Sequence, residues 1–340
     1  MQTPEILRGT EMAKIKPEDL EKMNLVVFDI EGSGSVPGST PYESGSIVSL
    51  GAVDFNTKGE FYEECRVMGG RSYDDYALKI NCKSGESDMC IKGDYLERGI
   101  KGEHGYMAEY YKEKQEYLVK IPKEISEVAV MLEPFSIAEK AAKQVLEAQK
   151  RMVWQPKSAI VLGTGTVGLF AAMILRLNGM DVVSVDRTAT NAIKDRIYKE
   201  MGIEHINSND VPIEKLPDKL GKRVDLVVEL TGSPKAVASS LNVPSINGVL
   251  CLLSVTGESY SESVDIGRLN YNMVLGNKLI LGSVNSNISH FIKGTQDMAA
   301  IESQHPGLLK TMITRKIKLE DFSYEMLNDR EQIKNVIIMG

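Results

Sequence analysis

Three glycines at a fixed spacing give the clearest indication of chemistry in this chain. Gly163, Gly165 and Gly168 form a G-x-G-x-x-G series. The series follows the apolar run Ala159–Leu162, whose composition is typical of a strand. It precedes the apolar segment Leu169–Leu177, which is typical of a helix. A strand, a glycine turn and a helix in this order predict a binding site for the pyrophosphate of a dinucleotide.

Each glycine has its own physical task in such a turn. Gly163 permits the tight turn out of the strand, and Gly165, without a Cβ, lets the backbone approach the pyrophosphate. Gly168 lets the helix pack closely against the sheet. The amino terminus of the helix adds unpaired N–H groups and a partial positive charge, both of which favour phosphate.

An acidic residue at the end of a second strand completes the pattern. The apolar run Val182–Val185 ends at Asp186, 18 residues after Gly168. A carboxylate here accepts hydrogen bonds from the adenosine ribose, and its charge repels a 2′-phosphate, which favours NAD. The neighbouring Arg187 could pair with that phosphate, so NADP stays a second candidate. The alternative interpretation is a glycine turn in an α/β protein that binds no nucleotide.

Strands and helices continue to alternate after this unit. Further buried strands are predicted at Val224–Leu230, Gly248–Ser254 and Leu279–Ser283, and a helix at 289–303. The pattern predicts an α/β fold with a doubly wound parallel sheet of the Rossmann type, whose ligand crevice lies at the carboxyl ends of the strands. The cofactor-binding residues predicted there are Gly163, Thr164, Gly165, Thr166, Val167, Gly168, Asp186, Arg187, Thr231, Gly232, Ser254 and Asn285.

Two carboxylates near the amino terminus suggest a different chemistry. Asp29 and Glu31 stand two residues apart at the end of an apolar strand, so both can point to one face and bind Mg²⁺ or Mn²⁺. Through VVFDIEGSG, IVSLGAVDF, GEFYEECRV and DDYALKIN, the stretch from Asn24 to Asn81 resembles the start of the DEDD-type 3′–5′ exonuclease domain. The further carboxylates of that family are not matched. A β-meander without nuclease chemistry is therefore favoured, with a metal-dependent exonuclease as the alternative.

Length and charge bound the remaining possibilities. The chain has 340 residues, a net charge of −7 and four cysteines. This length predicts two domains, and the absence of a basic block argues against a nucleic-acid partner. No apolar run approaches the roughly 20 residues that span a bilayer, and the charged amino terminus is unlike a signal peptide. The few cysteines predict a reducing compartment. We expect a cytoplasmic protein that forms a homo-oligomer.

From Cys82 to Gly340 the chain resembles the medium-chain dehydrogenase/reductase superfamily, and within it the archaeal glucose dehydrogenases. The matching segments are CKSGESDMC, GDYLERGIKGEHGYMAEYY, YLVKIP, VMLEPFSIAEKA, VLGTGTVGL, VVELTGSP, LILGSVNSNISHF and IKNVIIMG. The resemblance implies oxidation of an aldose at C1 to the lactone, with a hydride passing to NAD(P)⁺. It also implies three domain segments: an exonuclease-like fragment at 1–81, a partial GroES-like catalytic domain at 82–136 and 291–340, and a Rossmann domain at 137–290.

The resemblance assigns roles to matching positions. It places Glu97 and Glu133 at a catalytic zinc and the sugar, and Asn285 at the sugar and the nicotinamide. Cys82 and Cys90 would be the last two of four structural-zinc cysteines. From the residues alone, Glu133 is predicted to be a solvated acid, and only the resemblance makes it a site residue.

Two motifs of the family have no counterpart in this sequence. They are a catalytic zinc cysteine followed closely by Thr-Asp, and a Gly-His-Glu motif, whereas the first histidine here is His104. Glutamates alone are a poor zinc site, because zinc in proteins takes mainly cysteine and histidine ligands. The sequence therefore predicts NAD(P) binding, doubtful zinc occupancy and impaired turnover. A dinucleotide-binding protein without catalysis is a third hypothesis.

Overall fold

A computed structural model describes residues 86–90, 97–98, 100, 102–106, 117–257, 260–323, 326 and 332–338. Three predictions lie outside this part of the chain. They are the exonuclease-like meander at 24–81, the Asp29–Glu31 pair and the zinc ligand Cys82.

The bounds of the elements are as follows. The strands are β1 (Glu97–Arg98), β2 (Gly102–Glu103), β3 (Ser158–Leu162), β4 (Asp181–Asp186), β5 (Glu204–Asn207), β6 (Leu226–Glu229), β7 (Val249–Leu252), β8 (Leu279–Gly282), β9 (Ile313–Lys318) and β10 (Lys334–Ile338). The α-helices are α1 (Leu132–Ala148), α2 (Thr166–Leu177), α3 (Ala192–Met201), α4 (Leu216–Leu220), α5 (Pro234–Ser240), α6 (Ile266–Leu275), α7 (Ile288–Gln304) and α8 (Leu308–Met312).

Six parallel strands form the central sheet, in the order β5-β4-β3-β6-β7-β8. The chain runs outward from β3 in one direction and then returns to place β6 on its other side, which is the doubly wound arrangement. Leu162 at the end of β3 pairs with Val185 of β4 and with Glu229 of β6. The strand ends that carry the predicted site residues are therefore neighbours, and the predicted Rossmann sheet is confirmed.

Alternate residues of β3 serve two separate cores. Ala159 and Val161 face the core that also contains α1, α2 and α7, whereas Ile160 and Leu162 face the core on the opposite side of the sheet. All five residues of β3 are buried. Helices cover both faces of a parallel sheet, so its strands are continuous apolar runs, and this is why the sequence pattern located them well.

Element ends differ from the sequence prediction where polar side chains cap helices. The sequence predicts a helix over Ala189–Met201, and the observed helix α3 begins at Ala192, because the Asn191 side chain accepts hydrogen bonds from the backbone N–H groups of Ile193 and Lys194. The helix α6 was not predicted. It begins after Asp265, whose carboxylate accepts from the N–H of Arg268.

Smaller elements flank the sheet. β1 pairs with β2, and β9 pairs with β10, each pair being parallel. 3₁₀ helices at Ser87–Met89 and Lys123–Met131 precede α1. The GroES-like assignment of 82–136 and 291–340 stays a prediction, as do the domain boundaries. In the described part of the chain, no helix combines the length and the apolar character that crossing a bilayer requires.

Candidate functional site

The glycine turn between β3 and α2 has the geometry that its spacing predicted. Gly163 has φ +97°, and a Cβ there would lie 3.0 Å from the backbone of Leu230. A Cβ on Gly168 would lie 2.0 Å from the carbonyl oxygen of Gly163. A Cβ on Gly165 would meet no atom within 4 Å. The outer two glycines are thus required by the fold, whereas Gly165 faces open space where a ligand can approach the backbone.

The amino terminus of α2 is suited to an anion. Gly165 is the N-cap residue and no acidic residue lies in the first turn. The first N–H groups of an α-helix have no partner within the helix, and the helix dipole adds partial positive charge. The hydroxyl of Thr166 donates to the carbonyl of Ile333 at 2.6 Å, which ties this turn to the segment before β10. These residues fit the pyrophosphate of a dinucleotide.

Asp186 is held by four side chains. Its carboxylate accepts from the hydroxyl of Thr164, from Thr188 Oγ1 at 3.0 Å, from Lys194 Nζ at 3.3 Å and from His205 Nε2 at 3.1 Å. Burial works to raise the pKa of Asp186, but the hydrogen bonds and the lysine charge outweigh it, so the pKa lies below its ordinary value. Asp186 is therefore an anion whose charge is partly offset by Lys194.

A buried glutamate that the sequence pattern did not single out joins two strand ends. Glu229, the last residue of β6, is 0% exposed. Its carboxylate accepts from the N–H of Thr231 at 2.7 Å, from the Thr231 hydroxyl and from the Ser254 hydroxyl. It thereby fixes two residues predicted to line the cofactor crevice. The available signal was a charged residue inside the apolar run VDLVVEL, two positions before Thr231.

Two of the three predicted catalytic residues are in contact. Asn285, after β8, donates from Nδ2 to Glu97 Oε1 at 2.5 Å. Asn285 has φ +61° and its Oδ1 accepts from the N–H of Ser286 at 2.7 Å. An amide and a carboxylate paired in this way offer both donors and acceptors to sugar hydroxyl groups.

The interpretation of Glu133 as a solvated acid is wrong, since Glu133 is 6% exposed and lies in the first turn of α1. Apolar residues of α1 and the preceding 3₁₀ helix pack around this turn and exclude solvent, which the local sequence did not reveal. Its carbonyl accepts from Ser136 Oγ at 2.6 Å, and that hydroxyl lies 2.7 Å from Ser286 Oγ. The start of α1 is therefore linked to the loop that carries Asn285.

The described residues do not by themselves make a zinc site. Cys90 is a free, half-buried thiol. Within the part of the chain that the structure describes, no three His, Cys, Asp or Glu side chains are grouped as metal ligands. In this part of the chain, Glu97 and Glu133 are the candidates for ligands of a catalytic zinc and Cys90 for a structural zinc, and either site needs more donors than these.

A doubly wound sheet, a glycine turn that fits a pyrophosphate and polar strand ends define a dinucleotide-binding fold of the Rossmann class. The chain belongs to the glucose dehydrogenase family, because the family model described as glucose dehydrogenase C-terminus matches residues 126–339. The resemblance noted from the sequence is thereby confirmed. By this resemblance the enzyme class is that of the NAD(P)-dependent sugar dehydrogenases.

Named relatives agree with the family model. Glucose 1-dehydrogenase of Methanocella arvoryzae is 40% identical over 259 residues, which cover 76% of this chain and 72% of the relative. Glucose 1-dehydrogenase 2 of Vulcanisaeta moutnovskia is 36% identical over 251 residues, 74% of this chain and 70% of the relative. The solved structure of Haloferax mediterranei glucose dehydrogenase in complex with NADP, Zn and gluconolactone superposes with a TM-score of 0.73 at 26% identity, covering 97% of this chain and 95% of that one.

Proposed function

We propose that this chain binds NAD(P)⁺ and oxidises an aldose, glucose or a closely similar sugar, at C1 to the lactone. One observation carries the proposal. The glycine turn at Gly163–Gly168 follows β3, and Asn285 follows β8 of the same sheet and contacts Glu97, so a dinucleotide on the turn can reach a sugar at Asn285 and Glu97. The nicotinamide, when bound, accepts the hydride that leaves C1, while the C1 hydroxyl loses its proton.

The proposed cofactor contacts follow from the geometry of the strand ends. The backbone from Gly163 to Gly168 and the start of α2 hold the pyrophosphate. Asp186 and Arg187, at the end of β4, face the adenosine ribose. Thr231, Gly232 and Ser254 line the crevice, where Glu229 fixes the hydroxyls of Thr231 and Ser254.

The proposed sugar contacts are Asn285, Glu97 and Glu133. The Asn285 amide and the Glu97 carboxylate orient the hydroxyl groups of the sugar. A carboxylate, Glu97 or Glu133, takes the proton of the C1 hydroxyl as the hydride leaves. The family motifs that supply zinc ligands are absent from this sequence, so we expect turnover well below that of a glucose dehydrogenase that contains them.

The preference between NAD and NADP depends on the charge of Asp186. Its carboxylate disfavours a 2′-phosphate, which favours NAD. Lys194 and His205 contact that carboxylate, and Arg187 is exposed beside it. Because these groups offset part of the negative charge, we expect the preference for NAD to be modest and NADP to bind as well.

A coupled absorbance and binding experiment on the full chain tests the proposal. Reduced nicotinamide is followed with glucose and NAD⁺ or NADP⁺, with and without added Zn²⁺, while calorimetry measures cofactor binding. We expect the wild-type chain to form the lactone and the variant Gly165→Asp to form none. Cofactor binding without turnover under all these conditions would contradict sugar oxidation and leave a dinucleotide-binding protein. Asp29 and Glu31 lie outside the described residues, and no observation favours the exonuclease alternative.

We further propose that the protein is a cytoplasmic homodimer. In the described part of the chain, β8 is an edge strand of the six-stranded sheet. In α6, the helix before β8 in the chain, Tyr271, Val274 and Leu275 are each about two-thirds exposed. An unpaired strand edge and exposed apolar side chains are both features that a second copy can cover.

A further inference from the structure

Residues 284–287, between β8 and α7, form a loop that we call the Asn285 loop. Asn285 has φ +61°, in the left-handed region that few residues other than glycine adopt. Such a conformation persists where the surroundings determine it. The contacts of the neighbouring residues in this loop therefore decide where the Asn285 amide points.

The helix α1 holds this loop from one side. Lys140 donates from Nζ to the carbonyl of Val284 at 2.6 Å. One turn earlier on α1, the hydroxyl of Ser136 lies 2.7 Å from that of Ser286. The residues immediately before and after Asn285 are thus both fixed to α1.

The 3₁₀ helix Ser87–Met89 holds the same loop from the other side. Asn287 donates from Nδ2 to Asp88 Oδ1 at 2.8 Å. Asp88 also pairs with Lys140, with Nζ 2.5 Å from Oδ2, and the two side chains are 2% exposed for Lys140 and 1% for Asp88.

A buried ion pair is costly to desolvate, so it contributes little stability by itself. Here each charged group makes a second contact with the Asn285 loop, Lys140 with Val284 and Asp88 with Asn287. The ion pair thereby links the 3₁₀ helix Ser87–Met89 to α1, and both elements also contact the Asn285 loop. Contacts of this kind can fix the position of the Asn285 loop.

We propose that Lys140 and Asp88 are positioning residues, which hold the Asn285 loop so that the Asn285 amide stays on the Glu97 carboxylate. This inference rests on the proposed function only in taking Asn285 and Glu97 as the residues that contact the sugar. Lys140 and Asp88 act through the loop and touch neither sugar nor cofactor.

Hydrogen–deuterium exchange of the full chain, followed in peptides covering 283–289, tests the positioning role of Lys140 and Asp88 without any substrate. We expect Lys140→Met to accelerate exchange of this segment at least tenfold, while peptides of β3 and α2 keep their wild-type rates. Lys140→Arg should restore slow exchange, since it keeps the charge. The matched control is Lys143→Met, which removes an exposed lysine from the same helix. If Lys140→Met does not fold, Asp88→Asn, which is uncharged and similar in shape, takes its place. Wild-type exchange at 283–289 in the folded variant would overturn the proposal.

Kinetics provides the second measurement. We expect Lys140→Met to lower kcat/KM for glucose at least tenfold and to change the Kd of NAD(P) much less, because the glycine turn and Asp186 stay in place. In an Asn285→Ala background the same substitution should cause no further loss, because its effect passes through Asn285. Losses that add in the double variant would contradict this route. If the wild-type chain shows no glucose oxidation, the proposed function has failed. The exchange measurement alone then tests whether Lys140 and Asp88 position the Asn285 loop.

Discussion

Gly165 and Gly168 stand three residues apart, yet a side chain at each would meet different surroundings. A Cβ on Gly165 meets nothing within 4 Å, and Gly165 is the N-cap of α2, where aspartate is a favoured residue. We therefore expect Gly165→Asp to leave the free energy of unfolding unchanged or slightly higher. The same change should weaken NAD(P) binding at least tenfold, or about 1.4 kcal/mol, because the carboxylate repels the pyrophosphate. Urea unfolding and calorimetry measure the two effects.

Gly168→Ala is the matched comparison for this glycine turn. Its Cβ would lie 2.0 Å from the carbonyl oxygen of Gly163, so the backbone must shift. We expect a loss of about 2 kcal/mol or more in the free energy of unfolding. Undiminished cofactor affinity in Gly165→Asp would place the pyrophosphate elsewhere and contradict the proposed site.

We expect Asp186 to set the preference between the two cofactors. Removing its charge in Asp186→Ala leaves Lys194 and His205 without their common anion, so a 2′-phosphate can take its place. We expect the affinity for NADP relative to NAD to rise about tenfold, which is about 1.4 kcal/mol. Lys194→Met should shift the ratio in the opposite direction. Calorimetric titration with both cofactors measures it. A wild-type chain that binds NADP at least tenfold more tightly than NAD would show that the predicted preference is wrong.

The residues of the site differ in how far sequence could locate them. The glycine turn and Asp186 lie within one β-α-β unit, so local spacing was enough. Glu229 acts on Ser254, 25 residues away, and Asp88 acts on Asn287, 199 residues away. Such contacts depend on which strand ends and loops the fold brings together, and no local pattern records that.

Among the elements, the contact of α1 with α7 contains a buried acid pair. Gly294 permits the approach of α7, because a Cβ there would lie 2.8 Å from Leu132 Cδ1. Glu139 of α1 and Asp297 of α7 are 4% and 9% exposed, and Lys293 pairs with Asp297. Burial, followed by the charge and hydrogen bond of Asp297, raises the pKa of Glu139 to about 8. Glu139 therefore holds its proton to higher pH in the folded protein than an exposed glutamate does.

This raised pKa makes stability depend on pH. Between the ordinary value of 4.5 and about 8, the folded state binds more protons at Glu139 than the unfolded state. The contribution of Glu139 is therefore complete below pH 4.5 and is lost as pH rises to about 8. The slope is at most about 1.4 kcal/mol per pH unit. We expect Glu139→Gln to flatten the pH dependence of the melting temperature in this window and raise stability at pH 8. Glu147→Gln, at an exposed position of α1, is the control. An unchanged pH profile in Glu139→Gln would contradict the raised pKa.

The strands were easier to predict than the helix α6. The central strands are buried on both faces and read as apolar runs, whereas α6 has no buried residue and carries apolar side chains that face solvent in a single chain. Its sequence, IGRLNYNMVL, also includes glycine and asparagine, which are weak helix formers. A helix whose apolar residues lack a partner among the residues that the structure describes gives no pattern of burial to interpret there, and this directs attention to a second chain.

At the scale of the whole molecule, β8 is an edge strand of the six-stranded sheet, and the exposed helix α6 precedes it in the chain. Tyr271, Val274 and Leu275, at positions i, i+3 and i+4, share one face of α6 and are 65%, 67% and 64% exposed. Together they offer apolar area on the order of several hundred Å², and a stable homodimer buries about 800 Å² per partner. Two copies of an edge strand related by a two-fold axis pair antiparallel and extend the sheet, so the surface is complementary to itself.

We therefore expect the protein to be a homodimer that Val274→Glu dissociates, because the dimer would bury two unpaired carboxylates across the two-fold axis. Light scattering coupled to size exclusion should show the wild-type chain at twice the monomer mass and the variant as a monomer. Gln304→Glu, which adds the same charge at the exposed last residue of α7, should stay dimeric. A wild-type monomer would refute the interface, and a dimer that survives Val274→Glu would place it elsewhere. If the variant monomer keeps its affinity for NAD(P), each subunit forms a complete cofactor site from its own strand ends, as the contacts around Glu229 indicate.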